Sequence, residues 1–377
     1  MGPSTQPGNR LKPGNPGNTS EGGADDLVPP RKNLIAFSPQ PILTPLRRTI
    51  TRISPRSRKM LVAALGLVIG GGALVFSARG VDRAGLTEAF RHVSWWWVAA
   101  AASANIANIV AQGWAWRIGL HAGGTGPVAT RHAIAATWIG KAGNQLLPGK
   151  VGEIARIAMI RSHIAPDRRE VSRIVGSLAA QRAFNFLATF VIVVVVASVM
   201  PLPIYVPGGR WAPAAALGVL LATVAALYVK KPFKRTRTAG SGRLRSMTLA
   251  FAGGAGLLRP GRAAATALGA HLIAVSAQLT MLECLLRGFD VTAPPTAPLL
   301  IIALVGVVGA VPGAPGGVGL NQAALVAPLG AAYGISASSA LAFALGMQAT
   351  LAVVAVAGGL VAILAHRRTC AVRRAFP

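Results

Sequence analysis

Apolar runs about as long as a bilayer is thick recur along this chain from residue 60 onward, each ended by a polar or basic stretch. A helix needs ~20 mostly apolar residues to cross a hydrocarbon core. Six segments meet that need and predict full spans: 60–77, 95–118, 174–199, 212–229, 263–286 and 338–365. Two more, 128–160 and 298–333, are apolar but interrupted. The first contains NQLLPGKVGEIARIAMI over 144–160, the second GAVPGAPGGVGLNQAALV over 309–326. Proline removes a backbone donor and glycine weakens helical preference. Non-helical backbone at membrane depth survives only inside protein or beside a water-filled cavity. The pattern predicts an all-α polytopic membrane protein, with about six full spans and two re-entrant broken-helix hairpins. Residues 1–59 are rich in Pro, Gly and Asn and then in Arg, and predict a disordered basic tail. The membrane domain then covers 60–366, and 367–377 forms a second basic tail.

Composition narrows the class. Of 377 residues, 53% are hydrophobic and 13% charged, where soluble domains carry about 25% charged residues. This excludes an ordinary soluble enzyme and a disulfide-stapled secreted domain. Lys and Arg number 38 against 10 acids, a formal charge of +28. A nucleic-acid binder would be as basic but not as apolar. The placement of the charges says more than their sum. Let the N-terminus be cytoplasmic, 128–160 enter and leave on the inner side, and 298–333 on the outer side. Then 31 of the 38 basic residues lie inside and 5 outside, with Arg117 and Arg182 within spans. That asymmetry obeys the positive-inside rule and places both termini in the cytoplasm, with the protein in the cytoplasmic membrane. Trp95, Trp96, Trp97 and Trp211 fall at outer edges, and Trp114 and Trp116 at an inner edge, as aromatic belts do. The broken segments lie in opposite halves and enter from opposite faces. Inverted repeats do this, and their discontinuous helices meet near the midplane to form a site.

Few residues in the apolar region could carry chemistry. Arg182 lies inside the span 174–199, with Gln181 and Asn185 beside it. An intramembrane charge marks a site by default, and a guanidinium fork suits phosphate; the structural alternative is an Arg that snorkels or holds hairpin carbonyls. Pro148, Gly149 and Gly152 open a turn before a short helix that places Glu153 and Arg156 on one face. They form either a local ion pair or a cavity site for a proton or cationic headgroup. Glu283, four residues before Arg287, reads as a helical pair at an outer interface. Asn105, Asn108 and Gln112 recur on one face of the second span and read as interhelical hydrogen bonds. In the second broken segment Pro312, Pro315, Gly316, Gly317 and Gly319 let backbone donors turn toward an anion, or let helices pack closely. Asn321 and Gln322 then begin a helix whose positive end faces the site.

Catalytic signatures are missing. There is no G-x-S-x-G elbow and no phosphate-binding P-loop, since Asn144 and Val151 stand where that motif needs Gly and Ser or Thr. Six histidines show no metal-ligand spacing, and Cys284 and Cys370 predict neither a disulfide nor a metal site. The basic stretch 230–262 suits anionic lipid rather than nucleic acid. These readings predict no enzyme, no cofactor and no nucleic acid, with membrane lipid as the partner. Gly66 and Gly70 permit helix contact without setting an oligomeric state.

Three stretches resemble the membrane region of the lysylphosphatidylglycerol synthases, the flippase-like integral membrane family, over about 60–366. Asn144-Gln145-Leu146-Leu147-Pro148-Gly149-Lys150-Val151-Gly152-Glu153 with Arg156 is similar to N-x-x-x-P-x-x-x-G-E-x-x-R. Gln181-Arg182-x-x-Asn185 is similar to E-R-x-x-D, and Pro315-Gly316-Gly317-Val318-Gly319 through Gln322 to P-G-G-x-G-x-x-E. The resemblance implies a protein that moves an anionic phospholipid or lipid-linked glycan headgroup between the hairpins. Arg182 and Arg156 would hold phosphate, with Glu153, Gln181, Asn185, Asn144 and Gln322 beside them. The chain departs from the family at Gln181, Asn185 and Gln322, where amides replace acids. An amide carries no proton and balances no charge, so Arg182 is expected to stay uncompensated, which suits an anionic headgroup. The chain ends after its last span, so the resemblance implies the translocating half without the soluble aminoacyl-transferase domain. The alternative is a non-transporting partner of a cell-envelope lipid or glycan synthase.

Overall fold

The computed structural model describes residues 68–79, 81–147, 151–164, 169–199, 249, 251–258, 261–310 and 315–375. All belong to the unit Ser54–Pro377. The expected tail over 1–59, the span 212–229, Trp211, Pro148, Gly149 and Pro312 lie outside them.

Every regular element among the described residues is helical. In chain order they are α1 (Val68–Ala78), α2 (Arg83–Arg91), α3 (Trp95–Ala122), α4 (Thr130–Leu146), α5 (Val151–Arg161), α6 (Glu170–Val199), α7 (Arg262–Gly288), α8 (Ala297–Ala310), α9 (Leu320–Tyr333) and α10 (Ala337–Ala375). Two 3-10 turns join them, Ala255–Leu258 before α7 and Pro315–Gly317 before α9. Three described stretches are long and apolar enough to cross a membrane: Glu170–Val196, Arg262–Gly288 and Ala337–Arg367. They contain or overlap the expected spans 174–199, 263–286 and 338–365. With 28 residues, α3 is ~42 Å long at ~1.5 Å per residue, but Asn105, Asn108 and Gln112 interrupt its apolar character. The described part of the first expected span is the short apolar helix α1.

Helix α3 is the axis of the bundle, and α7 runs antiparallel along it. Ser94 N–H donates to Gly288 O (2.9 Å) at one end, and Asn108 Nδ2 donates to Ala274 O (2.6 Å) midway. Of the three amides of α3, Asn108 thus forms the expected interhelical bond, while Gln112 Nε2 donates to Asn108 Oδ1 within the helix (2.9 Å). They turn inward because an amide left in hydrocarbon would lose its hydrogen bonds.

Both broken segments are two helices packed against each other across an interruption, α4 with α5 and α8 with α9. They gather at opposite ends of α3. Ala101, near its start, belongs to a core with Leu285, Ile301, Leu325 and Phe343, which draws on α7, α8, α9 and α10. Trp116 and Leu120, near its end, belong to a core with Ala133, Ile160 and Ile174, which draws on α4, α5 and α6. Helix α10 runs beside α4. Gly358 and Gly359 leave the room that Trp138 and Ala142 occupy, and the tilted rings of His132, His163 and His366 lie in series, with centroids 3.9 and 5.1 Å apart.

Candidate functional site

Glycine packing sets the first half of the site. A Cβ on Gly152 would strike Gly140 O and lie 2.7 Å from Asn144 N, and one on Gly143 would lie 2.7 Å from Gly152 Cα. Backbones of α4 and α5 therefore touch, as small residues allow at membrane helix contacts. Gly152 was expected in the turn; it lies instead inside α5 and is buried. This close approach carries Glu153 and Arg156 to α6.

The two side chains then part. Arg156 is buried, 7% exposed. Its Nη2 donates to Gln181 Oε1 (2.8 Å), and its guanidinium lies 3.7 Å from the centroid of the Trp116 ring. Gln181 in turn donates to Gln112 O (3.0 Å), and Trp116 Nε1–H to Ser177 Oγ (3.1 Å). This arrangement corrects the reading of Trp116 as an interfacial belt residue: it is fully buried and forms the floor under Arg156. Glu153 faces Arg182 instead, Oε1 to Nη2 at 3.4 Å. The expectation that Arg182 stays uncompensated is therefore overturned. The acid comes from α5 rather than from position 181 or 185. Arg182 remains 66% exposed along its side chain, and the second oxygen of Glu153 is buried with no hydrogen-bond partner among the described residues. Asn185 is half-buried one turn further along α6, and Asn144 Oδ1 is buried with no hydrogen-bond partner among the described residues.

The second half is built on left-handed glycines. Gly316, Gly317 and Gly319 have φ of 63°, 75° and 83°, which L side chains rarely adopt. They turn the chain into α9, where Gln322 Oε1 accepts from Gly319 N–H (2.6 Å) and caps the helix start. Asn321 Nδ2 donates to Gln348 Oε1 (3.0 Å), and Gln348 Nε2 donates to Gln145 Oε1 (3.1 Å). Gln145 ends α4. One line of amides therefore joins the two broken segments, with Gln348 of α10 between them.

Residues 63–359 match the family described as the lysylphosphatidylglycerol synthase TM region. The chain belongs to that family. No curated protein matches it at a significant level. The matched stretch contains every motif residue named above, so the synthase-type membrane region supplies both halves of the constellation. With three long apolar helices among its described residues, the chain is a multi-pass membrane protein.

Some site residues escaped the sequence reading. Gln145 was seen only as part of a motif and Gln348 not at all, because their contact joins positions 203 residues apart. Lys141 was counted with the basic residues of an inner segment, yet it lines a partly open pocket of about 190 Å³ together with Gln145. Its signal was available: a lysine flanked by Gly140, Ala142 and Gly143 in the interior of a helix has no solvated face of its own.

Proposed function

We propose that the chain is a flippase-like protein that passes the headgroup of an anionic phospholipid or lipid-linked glycan across the cytoplasmic membrane, with both termini cytoplasmic and the segments 128–160 and 298–333 re-entrant. The observation that carries this reading is the amide line Gln145–Gln348–Asn321, where broken segments from opposite ends of α3 meet. A headgroup crossing hydrocarbon loses its water at a cost of several kcal/mol, and amides with both donors and acceptors replace that water midway. Arg182 is the receiving charge. It is exposed and its partner Glu153 is held only at 3.4 Å, so a phosphate can replace Glu153 on the guanidinium fork. Arg156, stacked on Trp116, adds a fixed positive field behind it.

A second reading, a non-transporting partner of an envelope synthase, draws on Gln181 and Gln322. Both amides are engaged in internal hydrogen bonds and neither carries a proton. Reconstitution separates the two. Vesicles holding the full chain should move fluorescent phosphatidylglycerol between leaflets, and Arg182→Ala and Glu153→Gln should lose most of that movement. Variants that match the parent rate would sink the site assignment. A parent that moves no lipid but co-purifies with a synthase would replace the leading reading by the second.

A further inference from the structure

Helices α4 and α10 run antiparallel and are joined at both ends. Gln145 and Gln348 meet at one end. At the other lie three imidazoles from three parts of the chain: His132 in the first turn of α4, His163 just beyond α5, and His366 of α10. The His132 and His163 centroids are 3.9 Å apart with the rings tilted by 35°, and those of His163 and His366 are 5.1 Å apart at 58°. All three residues are half-buried. Between the ends, Gly358 and Gly359 let α10 close on Trp138 and Ala142. Phenylalanines would pack in place of the histidines, but an imidazole also takes up a proton near neutral pH.

His163, the middle ring, is tied to α5. Its Nδ1 lies 2.9 Å from Met159 O. A carbonyl only accepts, so Nδ1 carries the hydrogen and Nε2 is the basic nitrogen. Rings this close hold few protons. Two imidazoliums 3.9 Å apart repel each other, and a half-buried one loses part of its hydration. The charges of the surrounding elements add to the repulsion. Arg131 of α4, Arg161 of α5, Arg169 just before α6, Arg173 within it and Arg367 of α10 are all positive. Arg117 and His121 of α3 are engaged with the backbone of Val128. Glu170, the one described acid at this end, is paired with Arg161. The closed contact therefore binds fewer protons than an open one in which the rings reach water. By linkage, falling pH favours the open form and rising pH the closed one.

We propose that His132, His163 and His366 form a pH-sensitive latch between the first broken segment and α10, closed while the rings are neutral and opened when the series takes up protons. The latch stands on this geometry. That its opening speeds lipid movement rests on the flippase-like reading, because α4 and α10 also carry two members of the amide line.

The test reads the latch and the movement separately. The full chain, with Cys284 and Cys370 replaced by Ser, takes spin labels at Thr130→Cys and Leu364→Cys, two exposed positions near the series, and is placed in nanodiscs of phosphatidylcholine and phosphatidylglycerol. Electron paramagnetic resonance reads the label separation at about pH 8 and about pH 5, the range in which imidazoles titrate. The labels should be close at the higher pH and farther apart at the lower. The ratio of open to closed should rise by up to about ten-fold per pH unit for each extra proton bound. The triple variant His132→Phe, His163→Phe and His366→Phe should keep the labels close at both. His163→Arg, charged throughout, should hold them apart at both, and the phenylalanine variant keeps the test readable if the arginine variant folds poorly. In vesicles the parent should move fluorescent phosphatidylglycerol faster at the lower pH, and the phenylalanine variant should move it equally at both. A pH-dependent separation in a parent that moves no lipid would support the latch and overturn only the flippase-like reading. A pH-dependent separation with equal movement at both pH values would overturn the link to movement. A separation that ignores pH in the parent, or a pH response that persists in the phenylalanine variant, would overturn the proposal.

Discussion

Arg182 of α6 and Glu153 of α5 form an ion pair at 3.4 Å, so the acid of the first broken segment answers the arginine within the long apolar helix. The pair is open on one side, with 66% of the Arg182 side chain exposed. Open pairs are worth little and buried ones a great deal when broken. A double-mutant cycle with Glu153→Gln and Arg182→Gln, followed by thermal unfolding in detergent, should give a coupling of about 0.5–1 kcal/mol. A coupling above ~3 kcal/mol would mean that the pair is closed, with no room for a phosphate to replace Glu153.

The Arg156–Gln181 contact is of the opposite kind, buried and 2.8 Å long. Gln181→Glu would place a carboxylate against a guanidinium already held by Trp116. Charge-assisted hydrogen bonds are roughly twice as strong as neutral ones, so the variant should be more stable than the parent by about 1 kcal/mol at neutral pH. A lower melting temperature would show that the carboxylate loses more on burial than it gains from Arg156.

Glycine at 152 serves contact rather than freedom, because its added Cβ would strike α4. Gly152→Ala should cost about 1–3 kcal/mol by overpacking, while Gly269→Ala, where nothing lies within 4 Å, should be neutral or stabilising by up to ~1 kcal/mol. Melting temperatures of the two variants check the contrast. Equal effects would show that α4 and α5 do not touch.

Gln348 links the broken segments by giving to one amide and taking from another. Gln348→Leu would leave Asn321 and Gln145 short of a partner each, at about 1–3 kcal/mol. It should also slow lipid movement more than an equally destabilising core change such as Leu329→Ala. Equal slowing by both would assign Gln348 to stability alone.

Much of this was legible in the chain, and the rest failed for identifiable reasons. Hydropathy runs located the long helices, Pro and Gly located both breaks, and the four-residue spacing of Glu283 and Arg287 gave their 2.9 Å pair. All of these are local. The partner of Arg182 was not, because motif reading looked for an acid on its own helix while the close backbone contact of α4 and α5 supplied one from elsewhere. Trp116 looked interfacial by its position near a helix end, yet α6 packs over it. Lys141 was hidden by charge counting, which treats every lysine in a segment as topological. Contacts between distant helices depend on how glycines let them cross, and periodicity along one helix does not encode that.

The central claim is that headgroups pass where Gln145 and Gln348 meet. Cysteines placed at these two positions, in a chain with Cys284 and Cys370 replaced by Ser, can be joined by a short reducible cross-linker after reconstitution. The account predicts that cross-linking stops movement of fluorescent phosphatidylglycerol and that reduction restores it. Cross-linked protein that moves lipid at the uncross-linked rate would contradict it.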